Sequence, residues 1–167
     1  METGAAFSRT RRGILVAALA GLTGCGSATP PKTTAVSVKV AADETINPSP
    51  SGQSAPVLVR VYALRDEMVF EQSDFSTLYN NDAQALGTAM LAKREMLIAP
   101  GASQSFQQEL PVEAAFLGFL AAFRAVDLAQ WRVLVPLKPE AVNTIQLDAS
   151  GSALNLTSAK SASKPWF

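Results

Sequence analysis

Val36-Ser37-Val38-Lys39-Val40 places a β-branched residue at every second position. That is the pattern of a strand with one buried and one wet face; on a helix the same residues would scatter around the axis. Runs of this kind recur along the chain. Residues 57–63 are richer still in β-branched side chains, and Pro56 stands just before them, where its missing N–H costs least. Residues 90–98 close at the turn dipeptide Pro100-Gly101. After them come 104–110, 131–135, 144–147 and 153–156, punctuated by Pro136, Pro139 and Ser150-Gly151. Short strands at such intervals predict a mainly β chain folded as a two-sheet β-sandwich.

Two stretches depart from the alternation. Residues 116–123 read Phe-Leu-Gly-Phe-Leu-Ala-Ala-Phe and are apolar on both faces. That fits a central strand covered on both sides, with a helix as the competing reading given the Ala and Leu content. Residues 70–79 carry Phe75, Leu78 and Tyr79 at i, i+3 and i+4, with Ser73 or Asp74 placed to cap them. A second turn follows at 82–86, before Gly87. This segment predicts a short helix crossing between the sheets, its aromatic residues in the core.

Composition removes most catalytic chemistry. The 167 residues include no His and a single Cys. Ser-His-Asp and Cys-His machinery, His-based metal sites, an intramolecular disulfide and a Cys₄ zinc cluster are therefore all excluded. The 14 basic and 14 acidic residues balance without forming a basic block, which argues against a nucleic-acid partner. Asp74, Asp82, Glu95 and Asp127 are scattered and read as caps and surface charges. Arg60, Arg124 and Arg132 lie in or beside strands and read as ion-pair partners of Asp74 or Asp127 at sheet edges. Residues 48–52 lack the glycine pattern and Lys of a phosphate-binding loop. The chain is expected to be no enzyme, with no catalytic residue, metal or cofactor.

The N-terminus carries the one strong chemical signal. Arg9, Arg11 and Arg12 precede an uncharged apolar stretch, residues 13–22. Its ten residues are about half of what a ~30 Å hydrocarbon core demands of a spanning helix, so it reads as a signal-peptide core. It ends in Leu22-Thr23-Gly24-Cys25, which resembles the bacterial lipobox. There the thiol takes up a diacylglyceryl group, and the small residues admit the peptidase that cuts before the Cys. Residues 10–15 fit the general secretory route and the twin-arginine route alike.

Processing would remove residues 1–24 and leave 143 residues with 11 basic and 13 acidic side chains, a net charge of −2. A covalent lipid on Cys25 would anchor them, stably once two or more acyl chains are attached. Gly26, in place of the Asp that in enterobacteria usually retains lipoproteins in the inner membrane, favours the outer membrane. Residues 25–35 then read as a flexible tether, 36–157 as the sandwich, and 158–167 as a loose tail. Between the first two strands, residues 43–55 form a connection longer than hairpins use. Such loops on β scaffolds often carry binding.

In this order and spacing, the motifs resemble the lipoprotein family of bacterial type VI secretion systems, the TssJ (VasD/SciN-like) family. The resemblance rests on Leu22-Thr23-Gly24-Cys25; Asn47-Pro48; residues 56–64; Phe70 with Ser73-Asp74-Phe75 and Leu78; Leu97 with Pro100-Gly101; residues 117–124; and Asp127 with Trp131-Arg132. Ala63 and Phe123 depart mildly, standing where a polar residue and a Tyr are common. The resemblance implies a transthyretin-like β-sandwich with a small helical addition, held by its lipid at the inner leaflet of the outer membrane and facing the periplasm. It also implies binding to the periplasmic C-terminal domain of TssM, and through that complex an indirect link to TssL. The loop between the first two strands is implicated in the TssM contact. Here Asp43, Glu44, Ile46 and Asn47 become the candidate partner-binding residues, with Ile46 expected to protrude between polar neighbours. The alternative is a lipid-anchored module that binds a small ligand or peptidoglycan in a sandwich cleft.

Overall fold

The computed structural model describes residues 32–164 and Met1. The export segment, Cys25 and residues 26–31 lie outside the described residues, as do 165–167. Eight strands form two four-stranded sheets. The first sheet contains β1 (Thr33–Ala42), β4 (Ser103–Pro111), β7 (Ala141–Ser150) and β8 (Ala153–Ser163), in the order β4-β1-β7-β8. The second contains β2 (Val57–Leu64), β3 (Met90–Ile98), β5 (Phe116–Ala122) and β6 (Arg132–Pro136), in the order β3-β2-β5-β6. All pairings are antiparallel except β1 with β7, which runs parallel from Ala35↔Val142 to Ala42↔Ala149. The expected two-sheet sandwich with a helical insertion is the fold the chain adopts.

The alternation in β1 works as read. Val36, Val38, Val40 and Ala42 are buried between the sheets, while Ser37, Lys39 and Ala41 face outward. They meet Ile145, Leu147 and Ala149 of β7 and Val57, Val59, Val61 and Ala63 of β2 in one continuous core. Strand β5 is the central strand rather than the competing helix. Leu117, Phe119 and Ala121 enter that core, whereas Phe116 and Leu120 face away from it into a second cluster with Tyr62, Leu64, Phe70, Leu78 and Leu86.

That second cluster corrects the placement of the helical segment. Helices α1 (Met68–Gln72) and α2 (Phe75–Leu86) link β2 to β3, neighbours in one sheet, and lie over its outer face. They do not cross between the sheets. Asp74 is the cap, its Oδ1 accepting from the Thr77 N–H at 2.7 Å. The two expected turns are both helical and lie either side of a kink at Asn81, whose backbone is non-helical. Phe70 is fully buried and lies flat against β5 at Gly118, where an added Cβ would come within 2.8 Å of its ring. Gly118 is thus required by close approach, not by a turn.

The arginines and carboxylates pair differently from expectation. Arg60 reaches Glu95 at 2.7 Å through Nε, and its guanidinium lies over the Tyr79 ring at 4.7 Å. Its Nη1 donates to the Tyr79 carbonyl at 2.5 Å and stands 3.6 Å from Asp82 Oδ2. Asp82 is buried, not a surface charge; the Tyr62 hydroxyl and Lys93 Nζ both donate to its Oδ2 at 3.0 Å. Arg132 makes no ion pair with Asp74 or Asp127. Its Nη1 donates to the carbonyls of Phe70, Glu71 and Ser73, the otherwise orphaned end of α1.

The C-terminal segment is also corrected. Strand β8 continues to Ser163, pairing with β7 throughout, so residues 158–163 are strand and not loose tail. Ser161 Oγ donates to the buried Asn143 at 2.7 Å, and Lys164 Nζ reaches Thr33 and Glu109, each at 2.7 Å. At the other end β1 begins at Thr33, inside the expected tether.

Burial pushes the Asp82 carboxyl up, but the hydrogen bonds from Lys93 and Tyr62 outweigh it and leave the group below its ordinary value of 3.8. A depressed carboxylate stabilises the fold above its unfolded value, and that contribution is lost as pH falls through the lower folded value. Asp82→Asn is expected to cost about 1–3 kcal/mol at neutral pH. It should also remove the part of the acid sensitivity that lies below pH 3.8. Urea unfolding of both proteins across that range measures the difference.

Candidate interaction site

Strand β1 separates two ends of the sandwich. At one end the chain enters at Thr33, beside Pro111 of β4, and Lys164 at the end of β8 bonds to the same threonine. At the other end β1 delivers the 43–55 loop next to three further connections: the turn at 99–102, the 123–131 connection and the turn at 151–152. A ten-residue strand at ~3.3 Å per residue puts about 30 Å between these ends.

The loop is tied to each neighbouring connection. The Asp43 N–H donates to Ala149 O at 3.0 Å, and Asp43 O accepts from Gly101 N at 3.0 Å. Asn47 makes the densest set. Its N–H donates to Gly151 O at 2.6 Å, its Nδ2 donates to Pro56 O at 2.9 Å, and its Oδ1 accepts from Arg124 N at 2.8 Å. It does this at φ +53, a left-handed conformation that Asn adopts more readily than most residues. Beside it Ile46 is fully buried in the inter-sheet core, and its carbonyl accepts from Ala55 N, closing the base of the loop.

These positions correct the expectation for Ile46 and Asn47. Neither presents its side chain to a partner. Ile46 is a core residue, and Asn47 is a buried polar hub whose hydrogen-bonding groups face its own chain. Asp43 and Glu44 do stand exposed, with Thr45 beside them. Hydrogen bonds from Ser150 and Thr45 hold the Asp43 carboxyl below its usual range, so it stays ionised. Thr45 donates to Asp43 Oδ1 through both N–H and Oγ1, at 2.9 and 3.0 Å. The loop tip, missed as a separate surface in the sequence, is an ordered turn. Ser49 N donates to Gln53 O, Gly52 N donates to Ser49 O, and residues 50–53 are exposed. The clustering of Pro48, Pro50 and Gly52 was the available signal for it.

The space lined by Val36, Val61, Phe106 and Leu117 amounts to about 10 Å³, room for about one water. A larger groove of about 550 Å³ opens between the helical insertion and the 123–131 connection, walled by Phe75 and Trp131. Among the described residues no group of three or more Cys, Asp or Glu is arranged to hold a metal ion.

Residues 34–152 match the model of the family described as type VI secretion lipoprotein, VasD, EvfM, TssJ, VC_A0113. No curated protein matches the chain in sequence. Among solved structures, the T6SS lipoprotein TssJ1 from Pseudomonas aeruginosa is 27% identical with a TM-score of 0.72, over 80% of this chain and 99% of that one. A chain of the structure described as a type VI membrane complex is 28% identical, TM-score 0.65, over 75% and 98%. A chain in the structure described as the T6SS protein TssM C-terminal domain from EAEC is 27% identical, TM-score 0.63, over the same shares.

Ile46→Ala is expected to cost about 2–5 kcal/mol of stability by leaving a core cavity. Asn47→Ala should cost about 1–3 kcal/mol and loosen all the connections it ties. Glu44→Ala should stay within about 0.5 kcal/mol of the parent, and Asp43→Ala, which loses only the exposed bonds to Thr45 and Ser150, should cost no more than about 0.5–1.5 kcal/mol. Denaturant midpoints, with exchange of the Arg124 amide that donates to Asn47, separate the two classes.

Proposed function

The chain belongs to the type VI secretion lipoprotein family, and from that membership we propose that it tethers the periplasmic C-terminal domain of TssM to the outer membrane. It does so as a structural protein without catalytic chemistry. The observation that carries this reading is the separation of its two ends. The chain following Cys25 enters β1 at Thr33, and the exposed face of the 43–55 loop leaves β1 about 30 Å away. A lipid on Cys25 would therefore hold one end at the inner leaflet while the loop end faces the periplasm. The structures described as a type VI membrane complex and as a TssM C-terminal domain, each containing a chain similar to this one, support TssM as the partner. TssL would be reached only indirectly, through the same complex.

The contact surface comprises Asp43 and Glu44, joined by Thr45 and the 50–53 tip. Ile46 and Asn47 act beneath it by holding it in shape. Confinement to the membrane raises the effective concentration of the loop near its partner, so a modest interface suffices. Anchoring and binding are then separable by substitution.

Cys25→Ser is expected to abolish outer-membrane retention and secretion while leaving the unfolding midpoint of the sandwich unchanged. Continued fractionation with outer membranes would overturn the anchoring role. Asp43→Lys with Glu44→Lys should weaken binding of the TssM periplasmic domain about ten-fold or more in a calorimetric titration. Undiminished affinity would place the contact elsewhere.

A further inference from the structure

The groove beside the helical insertion takes no part in the reading above. Phe75 and Trp131 meet edge to face at 5.4 Å along its wall, both half-buried. Next to it Leu128, on the single turn Val126–Leu128, is 90% exposed. Three carboxylates line the groove, those of Glu71, Asp74 and Asp127, against one cation, Arg132. Arg132 is already committed, since its Nη1 serves three carbonyls and its guanidinium stacks on Trp131 at 4.8 Å. Glu71 and Asp127 form no ion pair among the described residues. Asp74 is held below its usual range by hydrogen bonds from Thr77, so its charge persists at neutral pH.

An apolar wall rimmed by uncompensated negative charge selects its occupant. A purely apolar segment would leave the carboxylates facing apolar surface, and an acidic one would be repelled. We propose that this groove docks a basic, extended segment of a protein partner. An Arg or Lys of that segment sits between the carboxylates, and an apolar side chain packs on Phe75, Trp131 and Leu128. A second copy is the poorer occupant, because the processed chain carries net charge −2. This surface is additional to the 43–55 loop and does not depend on the TssM reading.

Trp131 is a built-in reporter, since Trp166 is the only other tryptophan. The test uses the mature lipoprotein carrying Trp166→Phe, in zwitterionic detergent. It is titrated with a synthetic peptide of about ten residues alternating Lys and Leu, and with the counterpart having Glu for Lys. The basic peptide should shift Trp131 emission saturably, less so as salt rises, and the acidic peptide should not. Glu71→Lys with Asp127→Lys should weaken that binding at least ten-fold at an unchanged unfolding midpoint. Leu128→Ser should weaken it several-fold. Equal responses to the two peptides, or affinity untouched by the charge reversal, would overturn the proposal. It would also fail if the basic peptide had no effect while Leu128→Ser dispersed a dimer, since the occupant would then be a second copy.

Discussion

Tyr62, Leu64, Phe116 and Leu120 point away from the sandwich interior, onto a sheet face that would meet water if nothing covered it. Burying large side chains on this second face is what calls for the helical insertion, because each contributes about 1.5–3 kcal/mol only if water is excluded. The insertion is accordingly a local cover. It leaves β2, crosses the outer face and returns as β3 in the same sheet. Gly118 lets the cover sit close, with the Phe70 ring directly on the backbone of β5.

Apolar contact alone would let such a cover slide. Two arginines from the sheet fix its position by gripping the carbonyls of the helices: Arg60 near the kink of α2, and Arg132 at the end of α1. Burying charge this way is costly unless every group is satisfied. Here Asp82, Lys93, Glu95 and Tyr62 complete the set around Arg60, and no buried side-chain polar atom among the described residues lacks a partner. The hydroxyl of Tyr62 remains a donor because burial, reinforced by the charge of Asp82, pushes its pKa far up. The same logic governs the loop end, where Asn47 satisfies three separate connections with one amide and one N–H.

Strand positions were legible because alternation is a local property. β1 through its valines and β5 through its two apolar faces each carry their burial pattern in consecutive residues. What was not legible depends on residues distant in sequence. Ile46 in a polar loop looks like an exposed anchor, and only the closing of the two sheets on each other makes it core. The pairing of Arg60 with Glu95 spans 35 residues, and no spacing announces it. The far half of β8 is Ser and Ala apart from Lys160, exposed along nearly its whole length, so no alternation marks it as strand; its pairing with β7 does. For the candidate loop, the length of the connection and the exposure of Asp43 and Glu44 were legible in the sequence. The expected protrusion of Ile46 was not met, since it and Asn47 are buried beneath the loop.

The path of β1, which runs from the Thr33 end of the sandwich straight into the 43–55 loop, has a mechanical consequence. A pull applied at Thr33 and resisted at the 43–55 loop runs along the axis of β1. That strand is held on one flank by β4 and on the other by β7. Because both points lie on this one strand, the load passes through its covalent backbone, and the two ladders keep the strand in place without being the links that carry the load. This geometry makes β1 a tie-rod between the two ends of the sandwich.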